Sequence, residues 1–314
     1  MRTVVCAYSE VGHACLDELL AIGADVRLVV THRDSPGEKV WFASVAERAR
    51  AAGVPVHTPD DVNSAESIAA IAAVRPELLF SFYFRQMMKR EVLELASVGA
   101  LNMHGSLLPR YRGRAPVNWV LVNGETETGV TLHDMDERPD HGDIVAQRRV
   151  AIAPDDDALS LTRKLALAAR EVLRENYPLL VAGTAPRTAQ AHRQSSYFGG
   201  RSARDGAIEW TKPAEQVRNL VRAVTDPWPG AFAVFRGRKL IVWKAQAARE
   251  TRAGEPGEIV LDPSGTPLVR ASDGWLALGD VSWQGDARMS GVEWVRRAAV
   301  QAGELCAGGA ALHA

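Results

Sequence analysis

An asparagine and a histidine stand two residues apart at the end of an apolar run: Asn102 and His104 in LNMH, followed by GSLLPRYRGR (105–114). On a strand, residues two apart point to the same face. An amide donor and an imidazole on one face can hold an oxyanion and move a proton. The same two side chains can also satisfy backbone groups at a strand end, which is a common use of both. Arg110, Arg112 and Arg114 crowd the residues that follow. Guanidinium forks bind phosphate and carboxylate, although a single surface arginine is ordinarily solvated charge.

A second concentration of chemistry is DMDERPDHGDI (134–144), which packs Asp134, Asp136, Glu137, Asp140 and Asp143 between His133 and the next apolar run, with His141 among them. Three readings stay open at this point. The loop is solvated; or it holds a divalent metal, although its spacing matches no metal signature; or one of its aspartates orients His104, as a carboxylate orients a catalytic base. No G-x-G-x-x-G follows the first strand, since AYSEVGHAC (7–15) offers only Gly12, and no Walker A pattern occurs. A dinucleotide cofactor is therefore not expected. His13, His32, His57, His192 and His313 are isolated and receive no role.

The elements needed to position these residues are legible as periodicity. Short apolar, β-branched runs at 3–7, 26–31, 77–83 and 99–104 alternate with helical spacing at 12–22, 42–52 and 64–74. Such alternation predicts a Rossmann-like, mostly parallel sheet with helices on both faces. The continuous apolar strands agree with burial on both sides. Ligands of open α/β sheets lie beyond the carboxyl ends of the strands, which is where Asn102 and His104 fall. Pro116 suits the first position of a helix over 116–123. Strands follow at 128–134 and 144–152. Acidic residues 155–157 precede a helical pattern over 158–180, where they favour the dipole. Residues 181–201 lose periodicity and read as a linker. Beyond 206 the chain breaks into short strands at 231–235, 240–243, 258–260 and 275–278, punctuated by Gly, Pro and Trp. This texture predicts a small β-barrel or sandwich.

The 314 residues, 46% hydrophobic and 24% charged, are those of a globular chain of about two domains. No apolar run approaches the ~20 residues of a membrane helix, so no membrane association is expected. The first residues lead directly into a strand rather than a signal peptide. Cys6, Cys15 and Cys306 are odd in number and without CxxC spacing. They read as reduced thiols, and a cytoplasmic location is expected. Formal net charge is -1, with a sequence pI of about 6.7. Proteins that grip nucleic acid usually carry a basic footprint, and none shows in this global balance.

Taken together, the Asn-x-His strand end, SLLPRYRG (106–113) and DHGDI (140–144) resemble the signature of the 10-formyltetrahydrofolate-dependent formyltransferases. Within that family the chain is most similar to the domains that formylate UDP-4-amino-4-deoxy-L-arabinose. The likeness runs through THRDSPGEK (31–39), SFYFRQMM (81–88), GRAPVNWVLVNGETETGVTLH (113–133) and RAVTDPWPGAF (222–232), and so covers nearly the whole chain. It implies a formyltransferase domain at 1–185, a linker at 186–204 and an OB-like β-barrel at 205–314. It implies catalytic roles for Asn102, His104 and Asp140: the first two stabilise the oxyanion formed when an amine attacks the formyl carbon, His104 also handles a proton, and Asp140 holds His104 in the productive tautomer. It places the folate co-substrate against Gln86, Met87 and Met88, near Arg114, and along Asp136, Glu137, Arg138, Pro139 and Asp140. Neither a metal nor NAD is implied. The NAD-dependent decarboxylase domain that accompanies the relative is not in this sequence, so a separate decarboxylase partner is expected to supply that step.

The family also contains methionyl-tRNA formyltransferase, which carries a basic loop after its second strand. The corresponding stretch here, HRDSPGEKVWF (32–42), has two basic and two acidic residues. A tRNA needs cations along its backbone. The near-neutral loop therefore favours a small UDP-amino sugar over nucleic acid, while the mildly basic residues 201–260 keep the tRNA alternative open.

Overall fold

The computed structural model describes residues 1–37 and 39–312. Glu38, in the near-neutral loop, and the terminal His313 and Ala314 lie outside the described residues. The chain forms two compact units. The first comprises Met1–Pro116, Thr126–Ala153 and Ser160–Gly199. The second takes Val117–Glu125, Pro154–Leu159 and the described residues from Gly200 onward.

Along the first unit run β1 (Arg2–Ala7), α1 (Ser9–Ala21), β2 (Asp25–Val30), α2 (Val45–Ala51), β3 (Val56–His57), α3 (Ala65–Ala73), β4 (Leu78–Phe82), α4 (Arg90–Leu93), β5 (Gly99–His104) and β6 (Arg112–Gly113). After α5 (Pro116–Val122) come β7 (Glu127–Asp134), β8 (Ile144–Ala151), α6 (Ala158–Val181) and β9 (Tyr197–Phe198). Seven strands form one sheet in the order β3-β2-β1-β4-β5-β7-β8. Strands β1 to β5 are parallel, and β7 and β8 add antiparallel at one edge. The fold is thus the expected mostly parallel Rossmann-like sheet.

The order reverses between β1 and β4, the kind of switch point that opens a crevice at the strands' carboxyl ends. All five residues of β4, LLFSF, are buried, as a strand covered on both faces requires. Val4, Cys6, Leu28, Val30, Val62, Ile71, Leu79 and Val92 share one apolar cluster. Gly12 lets α1 close on the sheet: a Cβ there would lie 2.9 Å from the Phe82 carbonyl oxygen. Helix α2 starts at Val45, three residues later than the periodicity predicts, because Ser44 accepts from the Glu47 N–H and caps the helix there.

The second unit contains α7 (Ala214–Val224), β10 (Ala231–Phe235), β11 (Arg238–Ala248), β12 (Ile259–Leu261), β13 (Pro267–Arg270), β14 (Trp275–Trp283), β15 (Met289–Ser290), α8 (Gly291–Ala298) and β16 (Cys306–Ala307). Its sheet runs β12-β13-β14-β11-β10-β16 and is antiparallel throughout. It curls so that its two ends approach each other, where Glu258 bridges Leu305. Trp275 and Trp294 are fully buried in this unit. The strand expected over 240–243 is longer, because β11 continues past a register shift near Lys244 to pair with all of β14. Among the described residues, no helix is long and apolar enough to cross a membrane.

Candidate active site

The β5 strand delivers Asn102 and His104 to one face, and its antiparallel pairing with β7 sets His133 directly opposite Asn102. The His133 Nδ1–H donates to the Asp134 carbonyl at 2.8 Å, which leaves Nε2 to accept from the Asn102 amide at 3.1 Å. The second Asn102 N–H faces Asp140 Oδ1 at 3.5 Å. The His104 Nε2–H donates to the Tyr111 carbonyl at 2.7 Å, and Nδ1 faces Asp140 Oδ1 at 3.4 Å. One carboxylate therefore stands against Asn102, His104 and His133 at once.

Asp140 reaches this position from the loop that returns β7 to β8. The loop closes with the Asp134 N–H on the Asp143 carbonyl. Gly142 is packed against Asp134 so tightly that a Cβ would lie 2.0 Å from the Asp134 carbonyl oxygen. Asp140 itself has φ +54°, a left-handed conformation that Asp adopts more readily than most residues. Its Oδ2 accepts the Gly113 N–H of β6 at 2.7 Å. Burial alone would raise the Asp140 carboxyl. The adjoining His104 and His133 and the Gly113 N–H outweigh it and hold the group at about 2.

The turn SLLPRYRG, 106–113, is fastened underneath. Thr131 Oγ1 donates to the Ser106 carbonyl at 2.6 Å and accepts the Leu108 N–H. Gln147 donates to the Leu108 carbonyl and to Thr131. This fastening fixes the Tyr111 carbonyl that receives the His104 N–H. Arg110, Arg112 and Arg114 do not converge. Arg110 lies over the Tyr111 ring, and Arg114 is exposed. Arg112 is 8% exposed and turned inward. Its Nη2 donates to Gln190 Oε1 at 2.5 Å and to His192 Nδ1 at 2.9 Å. His192, isolated in the sequence, stacks on His141 with ring centroids 4.2 Å apart. His141 in turn pairs with Asp136 at 2.8 Å.

The residues expected around the folate divide by environment. Gln86 turns away to fasten a turn, accepting the Val62 N–H and donating to the Asp60 carbonyl. Met88 is 2% exposed and packs in the apolar cluster of the sheet, whereas Met87 is 55% exposed. The two methionines thus have opposite surroundings, and only Met87 offers its side chain to a ligand. Asp136 is occupied by the Arg138 N–H and by His141. Glu137, Arg138 and Pro139 are exposed beside it. Among the described residues, no group of three or more His, Cys, Asp and Glu is arranged to hold a metal ion.

Two contributors escape a sequence reading. His133 could have been found by pairing the strands at 99–104 and 128–134 antiparallel. Gln190 lies in the aperiodic stretch read as a linker and carries no local signal. That stretch is in part structured: Thr188 bridges Ile144, and β9 pairs parallel with β6.

A cavity of about 300 Å³ opens at the carboxyl ends of β1 and β2, lined among others by Tyr8, Thr31, Arg33, Asp34, Phe42 and Arg50. Tyr8 Oη donates to Asp34 at 2.7 Å. The Phe42 ring meets Tyr8 edge-on, and the Arg85 guanidinium lies 4.4 Å from the centre of the Tyr8 ring.

Residues 2–176 match the model of the family described as Formyl transferase, and residues 201–299 match Formyl transferase, C-terminal domain. Solved structures share the fold. WlaRD, a sugar 3N-formyl transferase in the presence of dTDP and 5-N-formyl-THF, is 20% identical with a TM-score of 0.68; the alignment covers 91% of this chain and 99% of that one. The N-formyltransferase of Helicobacter canadensis, in complex with folinic acid and dTDP-3-aminofucose, is 21% identical with a TM-score of 0.67, covering 88% and 98%. HypX of Aquifex aeolicus in complex with tetrahydrofolic acid is 18% identical with a TM-score of 0.65, and the match takes 94% of this chain but 47% of HypX. Since the first family model alone spans more than half of the sequence and the second follows it in order, the chain belongs to the formyl transferase family and is an enzyme of that family.

Proposed function

We propose that this enzyme transfers the formyl group of 10-formyltetrahydrofolate to the 4-amino group of UDP-4-amino-4-deoxy-L-arabinose. The convergence of Asn102, His104 and Asp140 at the carboxyl end of β5 carries the proposal. The amine nitrogen attacks the formyl carbon, and the carbonyl electron pair moves to oxygen. The Asn102 amide and the His104 Nε2–H donate to that oxygen, which replaces the Tyr111 carbonyl as acceptor; catalytic hydrogen bonds commonly tighten only with substrate in place. Collapse breaks the bond from carbon to N10. N10 gains a proton, and the former amine nitrogen loses one. His104 moves the proton while Asp140, ionised beside it, offsets the positive charge on the ring.

In this scheme the folate lies on the exposed face of residues 86–88 and along 136–140, with Met87 under a ring and Arg114 within reach of an anionic part. The formyltransferase relatives solved with folinic acid or 5-N-formyl-THF support a folate donor. Their dTDP and dTDP-3-aminofucose support a sugar nucleotide as acceptor.

The cavity at β1 and β2 supports the same class. Tyr8 and Phe42 suit a nucleobase, and Arg33 and Arg50 suit its phosphates. Strand β1 lies two places from β5, about 10 Å along the sheet edge, so one extended ligand could bridge the cavity and Asn102. The 31–39 stretch that resembles the UDP-sugar enzymes borders this cavity. A role in lipid A modification and polymyxin resistance, with a separate decarboxylase providing the amino-sugar precursor, follows from that resemblance.

The test is release of tetrahydrofolate from 10-formyltetrahydrofolate with either UDP-4-amino-4-deoxy-L-arabinose or initiator methionyl-tRNA. Turnover with the sugar alone supports the proposal. Turnover with the tRNA alone replaces it. The Arg50→Ala variant is expected to raise KM for the UDP sugar about tenfold at nearly constant kcat, the loss of one charge-assisted contact. An unchanged KM would remove the cavity from the acceptor site.

A further inference from the structure

We infer that Gln190 is a positioning residue for formyl transfer: its side-chain amide fixes the backbone of the Asp140 loop and thereby sets the carboxylate against Asn102 and His104. The inference rests on the proposal that Asp140 serves the reaction.

Gln190 is 5% exposed. Its Nε2 donates to the Asp140 carbonyl at 3.0 Å and to the Gly142 carbonyl at 2.7 Å. Its Oε1 accepts from Arg112 Nη2 at 2.5 Å. A guanidinium only donates and backbone carbonyls only accept, so a single orientation of the amide satisfies all three contacts. Partial desolvation of this exposed ring, with the neighbouring His141 and Arg112, keeps His192 below its ordinary value. The neutral ring then accepts a second Arg112 N–H and holds the guanidinium in place.

The contacts close a ring around the carboxylate. Arg112 is followed by Gly113, whose N–H holds Asp140 Oδ2, while Gln190, anchored on Arg112, holds the Asp140 backbone. Asp140 is left-handed, and the three residues before it are exposed. Its conformation is held by contacts from beyond the loop, at Gly113 and Gln190, in addition to the loop's own closure. Gln190 does this from 50 residues away. Two residues earlier, reciprocal backbone bonds between Thr188 and Ile144, at 2.9 and 2.8 Å, anchor the segment that carries it. Gln190 also lies beyond the 2–176 span of the first family match.

A double-mutant cycle with Asp140 separates this role from general support of the fold. Gln190→Ala is expected to lower kcat roughly ten- to a hundredfold, the scale of a small misplacement of catalytic groups, with KM for both substrates within about threefold. In an Asp140→Ala background the same substitution is expected to change kcat by less than about twofold, because nothing remains to be positioned. Gln190→Glu keeps an acceptor for Arg112 and loses both donors, so it should behave like Gln190→Ala. If Gln190→Ala does not fold, the cycle run with Gln190→Glu decides the question. Equal losses in both backgrounds, or full activity of Gln190→Glu, would overturn the inference. A fully active Asp140→Ala enzyme would instead overturn the role given to Asp140.

Discussion

His104→Ala enzyme is expected to bind both substrates and to turn over at least a hundredfold more slowly than wild type. The His104 ring is buried, with Nε2–H directed at the Tyr111 carbonyl and Nδ1 at Asp140. It is thus a donor already oriented in a buried site, where a donor aimed at a developing oxyanion lowers the barrier by roughly 3–4 kcal/mol. Asn102 remains in the variant, so some stabilisation of the intermediate survives. The loss should appear in kcat with KM nearly unchanged, because the interaction strengthens only as charge forms on oxygen. A thermal unfolding curve accompanies the assay, since removing a buried ring also leaves a cavity. A folded His104→Ala enzyme with wild-type turnover would sink the mechanism.

Asp140→Asn is expected to lower kcat on the order of a hundredfold and to change how stability depends on pH. The amide keeps the shape but cannot balance a proton on His104. An amide N–H that donates to Nδ1 favours the neutral ring, so the proton that His104 must carry during transfer is left with no carboxylate to balance it. The stability effect has a definite sign. The carboxyl titrates at about 2 in the folded enzyme, against an ordinary 3.8. A depressed value means that the ionised form stabilises the fold above pH 3.8, and that this contribution fades as pH falls toward 2. Its size is about 2 kcal/mol. Denaturant unfolding of wild type and Asp140→Asn should therefore differ most above pH 4 and converge as pH approaches 2. A difference that widened on acidification would show that another group carries the effect.

Much of the fold is legible in local periodicity. The LLFSF of β4 is continuous and apolar, and it is buried along its length. Asn102 and His104 share a face because strand side chains alternate. The glycine- and tryptophan-rich second half forms the antiparallel half-barrel that its texture suggests. Two helices there, α7 and α8, escape that reading. Their apolar residues recur at helical spacing, and Ser290 caps α8 by accepting the Glu293 N–H, but the Gly, Pro and Trp punctuation around them reads as strands and turns.

Strand and helix alternation, the amide and imidazole at one strand end and the motifs that mark the family are all written in neighbouring residues. What those residues touch emerges in the folded chain. Folding brought Asp140 to Asn102 and His104 and set His133 across from Asn102. It turned Arg112 inward, sank Met88 into the core while leaving Met87 outside, and drew Gln190 from an aperiodic segment onto the Asp140 loop. The division has a physical cause. Periodicity records which face of one element meets the core, a property of neighbouring residues. The contacts that build the site mostly join groups far apart in the chain, such as Asn102 with His133 and Arg112 with Gln190. Their meeting depends on strand order and loop closure, which leave no repeating trace in the chain.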